Sequence, residues 1–154
     1  MSNDTTKLSP HTTWLFSFGA VAAGIGSAYA LSGMGQKVTA AVYFAIVAIG
    51  GFLSTYLTKA RVRGAVLSFL TAGAVAAAAY FFLVSSIFSQ ATSALNDAQG
   101  AAAGAKLGNT LGMFVAGIVF LETIVAGIGG AIAGDKARGS GGLAALTSAA
   151  RAAR

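Results

Sequence analysis

Residues 107–133 read LGNTLGMFVAGIVFLETIVAGIGGAIA, a run of 27 residues in which Glu122 is the only charged side chain. A helix rises 1.5 Å per residue, so about 20 residues cross the ~30 Å hydrocarbon layer of a bilayer and this run is long enough to span it. Its apolar residues fall on every face rather than on one stripe, and a helix of that kind belongs in lipid or deep inside a large core. Three more such runs lie upstream, at residues 13–32 (TWLFSFGAVAAGIGSAYALS), 38–58 (VTAAVYFAIVAIGGFLSTYLT) and 64–88. A chain of 154 residues is too small to enclose four of them in a water-soluble core. The expected fold is therefore all-α, an integral membrane four-helix transmembrane bundle. It would comprise a polar N-terminal segment over 1–12, a four-span domain over 13–134 and a basic cytoplasmic tail over 135–154.

Composition supports this reading and excludes its rivals. Hydrophobic residues make up 56% of the chain and charged residues 9%, against about 25% charged in an ordinary soluble domain. There is no cysteine and a single histidine, which excludes a disulfide scaffold and a zinc module. The net charge of +6 would suggest nucleic acid in a soluble protein. Here the basic residues stand at the ends of apolar runs and form no stripe interleaved with aromatics. The expected partners are the lipid bilayer and other membrane subunits or copies of the chain itself, not nucleic acid.

Links at residues 33–37 and 59–63 are short, which makes their flanking helices antiparallel neighbours. The third link, residues 89–106 (SQATSALNDAQGAAAGAK), is longer and reads as a polar connection or an outward extension of the fourth helix. Lys7, Lys59, Arg61, Arg63, Lys136, Arg138, Arg151 and Arg154 then fall on one side, with Lys37 and Lys106 on the other. Eight against two is a positive-inside bias, which predicts cytoplasmic termini and a multi-pass protein of the cell inner (plasma) membrane. Lys59, Arg61, Arg63, Lys136 and Arg138 would meet anionic headgroups there. Ala28, Tyr29 and Ala30 also form a small-x-small pattern like a signal-peptide cleavage site, but the apolar run before it is long for such a peptide.

Helices in lipid gain nothing by hiding apolar surface from one another, so they associate where small residues permit close approach. The fourth run supplies such rows in Gly104, Gly108, Gly112 and Ala116, and again in Ala126, Gly130 and Gly134. The first run has Ala20, Gly24 and Ala28, and also Ala22, Gly26 and Ala30. An ionised acid at the position of Glu122 costs about 2.5–3.5 kcal/mol on insertion scales, so it must be protonated, hydrogen-bonded, paired or facing water. Fourteen residues separate it from Gly108, which places it about 40° round the helix from that row and aims it at another helix. As a protonated acid it would bond across helices to a group such as Tyr43, Tyr80, Ser68, Thr71 or a backbone carbonyl.

No other residue carries comparable chemistry. His11 precedes the first run and has no partner in the sequence, and the glycines of residues 127–134 (GIGGAIAG) follow no strand and end in no phosphate-loop Lys-Ser/Thr. No catalytic set, metal cluster or cofactor motif is present, so an enzyme is not expected. The leading expectation is a small non-catalytic membrane subunit packing through its Gly/Ala-rich faces within a larger complex or homo-oligomer. The alternative is a small proton- or cation-coupled transporter or channel with Glu122 as its intramembrane site. A break in the second run at Gly50 and Gly51 would favour transport. Pigment or quinone binding through His11 and the aromatics is a third and weaker reading.

Overall fold

The computed structural model describes residues 10–58, 62–93 and 98–139. Over these the chain forms α1 (Pro10–Ala30), α2 (Gln36–Tyr56), α3 (Val62–Ser93) and α4 (Ala98–Gly139), with a 3-10 turn at Ser32–Met34. No strand occurs among the described residues. The expected all-α four-helix architecture is present, and α2, α3 and α4 are each long and apolar enough to cross a membrane. α1 equals α2 in length at 21 residues.

In the third link the outward extension of the fourth helix is present, and α3 is extended as well. α3 runs on to Ser93 and α4 begins at Ala98, so most of residues 89–106 is helix rather than loop. Ala and Gln are good helix formers, and Gly104 lies directly against Thr92, which lets the two extensions close on each other. With 32 and 42 residues, α3 and α4 are about 48 and 63 Å long, whereas α1 and α2 reach about 32 Å. The α3–α4 pair therefore outruns the other two helices.

In cross-section the helices follow the order α1, α2, α4, α3. α4 packs on α3 and α2, α1 packs on α2 and α3, and the diagonal pair α2 and α3 barely meets. The turn from α1 to α2 depends on Gly35, whose φ of 96° and ψ of 151° lie in a region that side chains strongly disfavour.

The interior sets small hydroxyl side chains beside an apolar cluster of Val21, Tyr43, Val47, Phe69, Ala72, Ala76 and Ala126. Of the seven largest fully buried side chains only Phe69 and Val47 are apolar, the rest being Ser17, Ser54, Ser68, Thr55 and Thr123. The Ser17, Ser54, Ser68 and Thr123 hydroxyls, with that of Thr58, return their protons to carbonyls three or four residues back along the chain, while that of Thr55 lies closer to a carbonyl of α4 than to its own. Large apolar side chains such as Leu15, Ile49, Leu67, Phe82, Phe114 and Leu121 point outwards. Small polar groups inside and bulky apolar groups outside suit an apolar solvent.

Close approach is set by glycines. A Cβ on Gly51 would strike the Gly127 carbonyl, one on Gly130 the Ala48 carbonyl, and one on Gly134 the Phe52 carbonyl and the Thr55 hydroxyl. The row Gly104, Gly108 and Gly112 faces α3, against Thr92, Phe88, and Ser85 with Phe81 respectively. Ala116 continues it, partly buried. Gly50 sits on Ala20 of α1, and α2 runs unbroken through Gly50 and Gly51, so the helix break considered from sequence is absent. The two glycines are contact points between helices.

Replacing Gly130 by Val drives a side chain into backbone that cannot yield, at a cost of about 3 kcal/mol or more. Gly129 has open space around it, and Gly129→Ala should stay within about 0.5 kcal/mol of the parent. Thermal unfolding of the two variants in detergent measures the contrast, and equal stability would show that α2 and α4 do not meet at Gly130.

Candidate functional site

Thr123 organises the site. Its hydroxyl donates to the Val119 carbonyl at 2.7 Å, which uses its only proton, so the Tyr43 hydroxyl 2.6 Å away donates to Thr123 Oγ1. This bond ties α2 to α4 in a fully buried position. Thr55 makes the second tie, donating to the Ala131 carbonyl of α4 at 2.8 Å. The third lies at the helix ends, where the Arg138 guanidinium donates to the Thr55 carbonyl at 3.1 Å and pairs with Asp135. Carbonyls in the last turn of a helix lack partners within it, so Arg138 caps α2 while its charge suits the negative end of the helix dipole.

Glu122 is the neighbour of Thr123 and is only partly buried. Because Thr123 bonds Tyr43, seven residues into α2 from Gln36, Glu122 lies about 10 Å below the start of that helix. Its carboxylate has no hydrogen-bond or ion-pair partner among the described residues. Tyr43 is engaged by Thr123, Ser68 donates to the Ala65 carbonyl and Thr71 to the Leu67 carbonyl, so none of these serves the acid. Tyr80 makes no hydrogen bond among the described residues either.

What Glu122 faces is space. A cavity of about 260 Å³ is lined by Ala28 of α1, Thr39 and Tyr43 of α2, Tyr80 of α3, and Ile118 and Glu122 of α4, so that all four helices contribute. A second hollow of about 520 Å³ shares Ala28, Thr39 and Tyr80 with it and reaches Tyr29 and Leu83 towards the α1–α2 turn. Tyr43 lies within electrostatic reach of both Tyr80 and Glu122. The space exists because alanines line it where the helices part: Ala28, Ala40 and Ala79.

The remaining sequence candidates lie elsewhere. Gly104, Gly108, Gly112, Gly130 and Gly134 contact the chain's own helices. Arg63 and Lys136 are exposed, and Arg138 is turned towards α2 rather than wholly outwards. Lys59, Arg61, the N-terminal nine residues and the tail beyond Gly139 lie outside the described residues. His11 is exposed in the first turn of α1, far along that helix from Ala28. The sequence reading passed over Thr123, Thr55 and the pairing of Tyr43, because a threonine bonded to its own helix carries no periodic signal. No group of three acids, histidines or cysteines that could hold a metal occurs among the described residues. Compared with known proteins, the chain matches no family model, no curated protein and no solved structure.

Thr123→Val leaves the buried Tyr43 hydroxyl without its acceptor and is expected to lower stability by about 1 kcal/mol. Adding Tyr43→Phe to that variant removes the stranded group and should recover part of the loss. A double-mutant cycle on detergent-solubilised protein reads the coupling, and strictly additive effects would dissolve the α2–α4 tie.

Proposed function

We propose that the protein is a non-catalytic, multi-pass protein of the cell inner (plasma) membrane that carries a proton or another monovalent cation by way of Glu122. One observation carries this reading. An unpartnered carboxylate lines a cavity to which all four helices contribute, at a depth where an uncompensated charge is costly. A proton, a cation or water must satisfy it, and the cavity supplies room for any of them. The glycine rows of α4 are occupied by the chain's own helices, so they offer no free face to a partner, and only the row Ala22, Gly26 and Ala30 on α1 is left exposed. In this reading α1 crosses beside the other three helices and the eight basic residues hold both termini in the cytoplasm. The cavity then lies in the half of the bundle away from the cytoplasm, near the α1–α2 turn.

A second reading, a non-catalytic subunit of a larger membrane complex or a homo-oligomer, draws on the α3–α4 overhang. Along it Ile87 and Leu107 are exposed. Purification from native membranes separates the two: a fixed set of larger partners supports the subunit, and an isolated small species supports the carrier.

In proteoliposomes, Glu122→Gln is expected to abolish proton-linked flux while leaving the size-exclusion profile unchanged. Flux equal to the parent would remove Glu122 from the mechanism. Because the chain has no cysteine, single cysteines placed at Ser2 and Ser148 report topology directly. Both should be labelled from the same side by an impermeant reagent, and labelling from opposite sides would mean that an odd number of helices crosses.

A further inference from the structure

We propose that the cavity beside Glu122 receives a lipophilic organic monocation, a small tertiary or quaternary ammonium carrying an apolar group. This deepens the carrier reading and rests on it. Among the described residues the lining contains one carboxylate and no lysine, arginine or histidine, so a positively charged occupant completes the site and an anion is repelled. The Tyr43 proton is committed to Thr123, and the Thr39 hydroxyl lies 3.5 Å from the Gly35 carbonyl, to which it donates. That leaves the Glu122 carboxylate and the Tyr80 hydroxyl on the inner hollow, with the Tyr29 hydroxyl on the outer one. Calcium takes six to eight oxygens and magnesium six, far more than this cavity offers. An ammonium whose charge is shielded by carbon needs one counter-charge and apolar walls.

The walls are of that kind. Tyr43 and Tyr80 bring one ring each from α2 and α3, the exposed Tyr29 of α1 borders the outer hollow, and Ile25, Leu83 and Val119 supply aliphatic surface between them. Aromatic faces attract cations through the ring quadrupole, most strongly where water is excluded. The two adjoining hollows, about 260 and 520 Å³, fall near the usual range for small-molecule sites, about 300–1,000 Å³. Glu122 stands at the α4 wall of the inner hollow and Tyr29 at the outer one, so a cationic head can seat inwards with its apolar group towards the α1–α2 turn.

The probe is benzyltrimethylammonium, with neopentylbenzene as its neutral isostere, added to the purified full-length protein in detergent. Saturable binding of one ammonium per chain by equilibrium dialysis is expected, with neopentylbenzene binding at least about tenfold more weakly. Glu122→Gln should weaken the ammonium at least tenfold, Glu122→Asp should retain it, and Tyr80→Leu should cost at least about threefold. Ala28→Leu fills the shared wall of both hollows while leaving the carboxylate in place, and it too should remove binding, which guards against a misfolded Gln variant. No saturable binding to the parent, equal binding by the Gln variant, or equal binding of the neutral isostere would each overturn the proposal. Glu122-dependent proton flux without ammonium binding would overturn the ligand class and leave the carrier reading standing. Binding without Glu122-dependent flux would support the ligand class and overturn transport.

Discussion

Everything in this bundle depends on how near the backbone of α4 comes to those of α2 and α3. Where Gly51 meets Gly127 and Gly130 meets Ala48, main chain lies on main chain with no side chain between. That proximity brings Tyr43 within reach of Thr123 and Thr55 within reach of the Ala131 carbonyl. In an apolar solvent there is no hydrophobic gain from association, so dispersion over a close fit and a few interhelical hydrogen bonds must hold the helices. The buried Ser17, Ser54, Ser68 and Thr123 hydroxyls are compatible with this because each donates to a carbonyl of its own helix.

Closeness in one half leaves room in the other. Below Tyr43 the helices meet through glycine, serine and threonine, and Phe69 fills the centre against Gly127. Near the α1–α2 turn Ala28, Ala40 and Ala79 border a gap that tyrosines and Glu122 also line. An acid in the tight half would have met carbonyl oxygens at every turn. In the open half it meets space.

The helices themselves were legible from hydropathy and length, since four apolar runs of 20 residues or more admit few other structures. Their ends were less so. Residues 89–106 look like a connection because Ser, Gln, Asn and Asp lower their hydropathy, yet alanine-rich sequence is helical whether or not it is apolar, and Gly104 against Thr92 closes the pair. Glu122 was legible because it is alone among apolar neighbours. Its surroundings were not, because rotation about one axis says which residues share its face but not which helices approach that face or leave it. The glycine rows were visible too, though spacing cannot distinguish a face used within one chain from a face offered to another. Gly50 and Gly51 show the same ambiguity, as a doublet that reads like a break and serves as a contact.

The unequal helix lengths have a mechanical corollary. Surrounded by a bilayer about 30 Å thick, α1 and α2 match the hydrocarbon while α3 and α4 exceed it, so the molecule presents a short flank and a tall one. Acyl chains would have to stretch around the tall flank, or that pair would have to lean, and either response sets up a thickness gradient across a single small protein. Such a wedge settles at lower energy along a boundary between thin and thick regions than within a uniform sheet. Lateral position would then be dictated by elasticity of the surrounding film as much as by any binding partner.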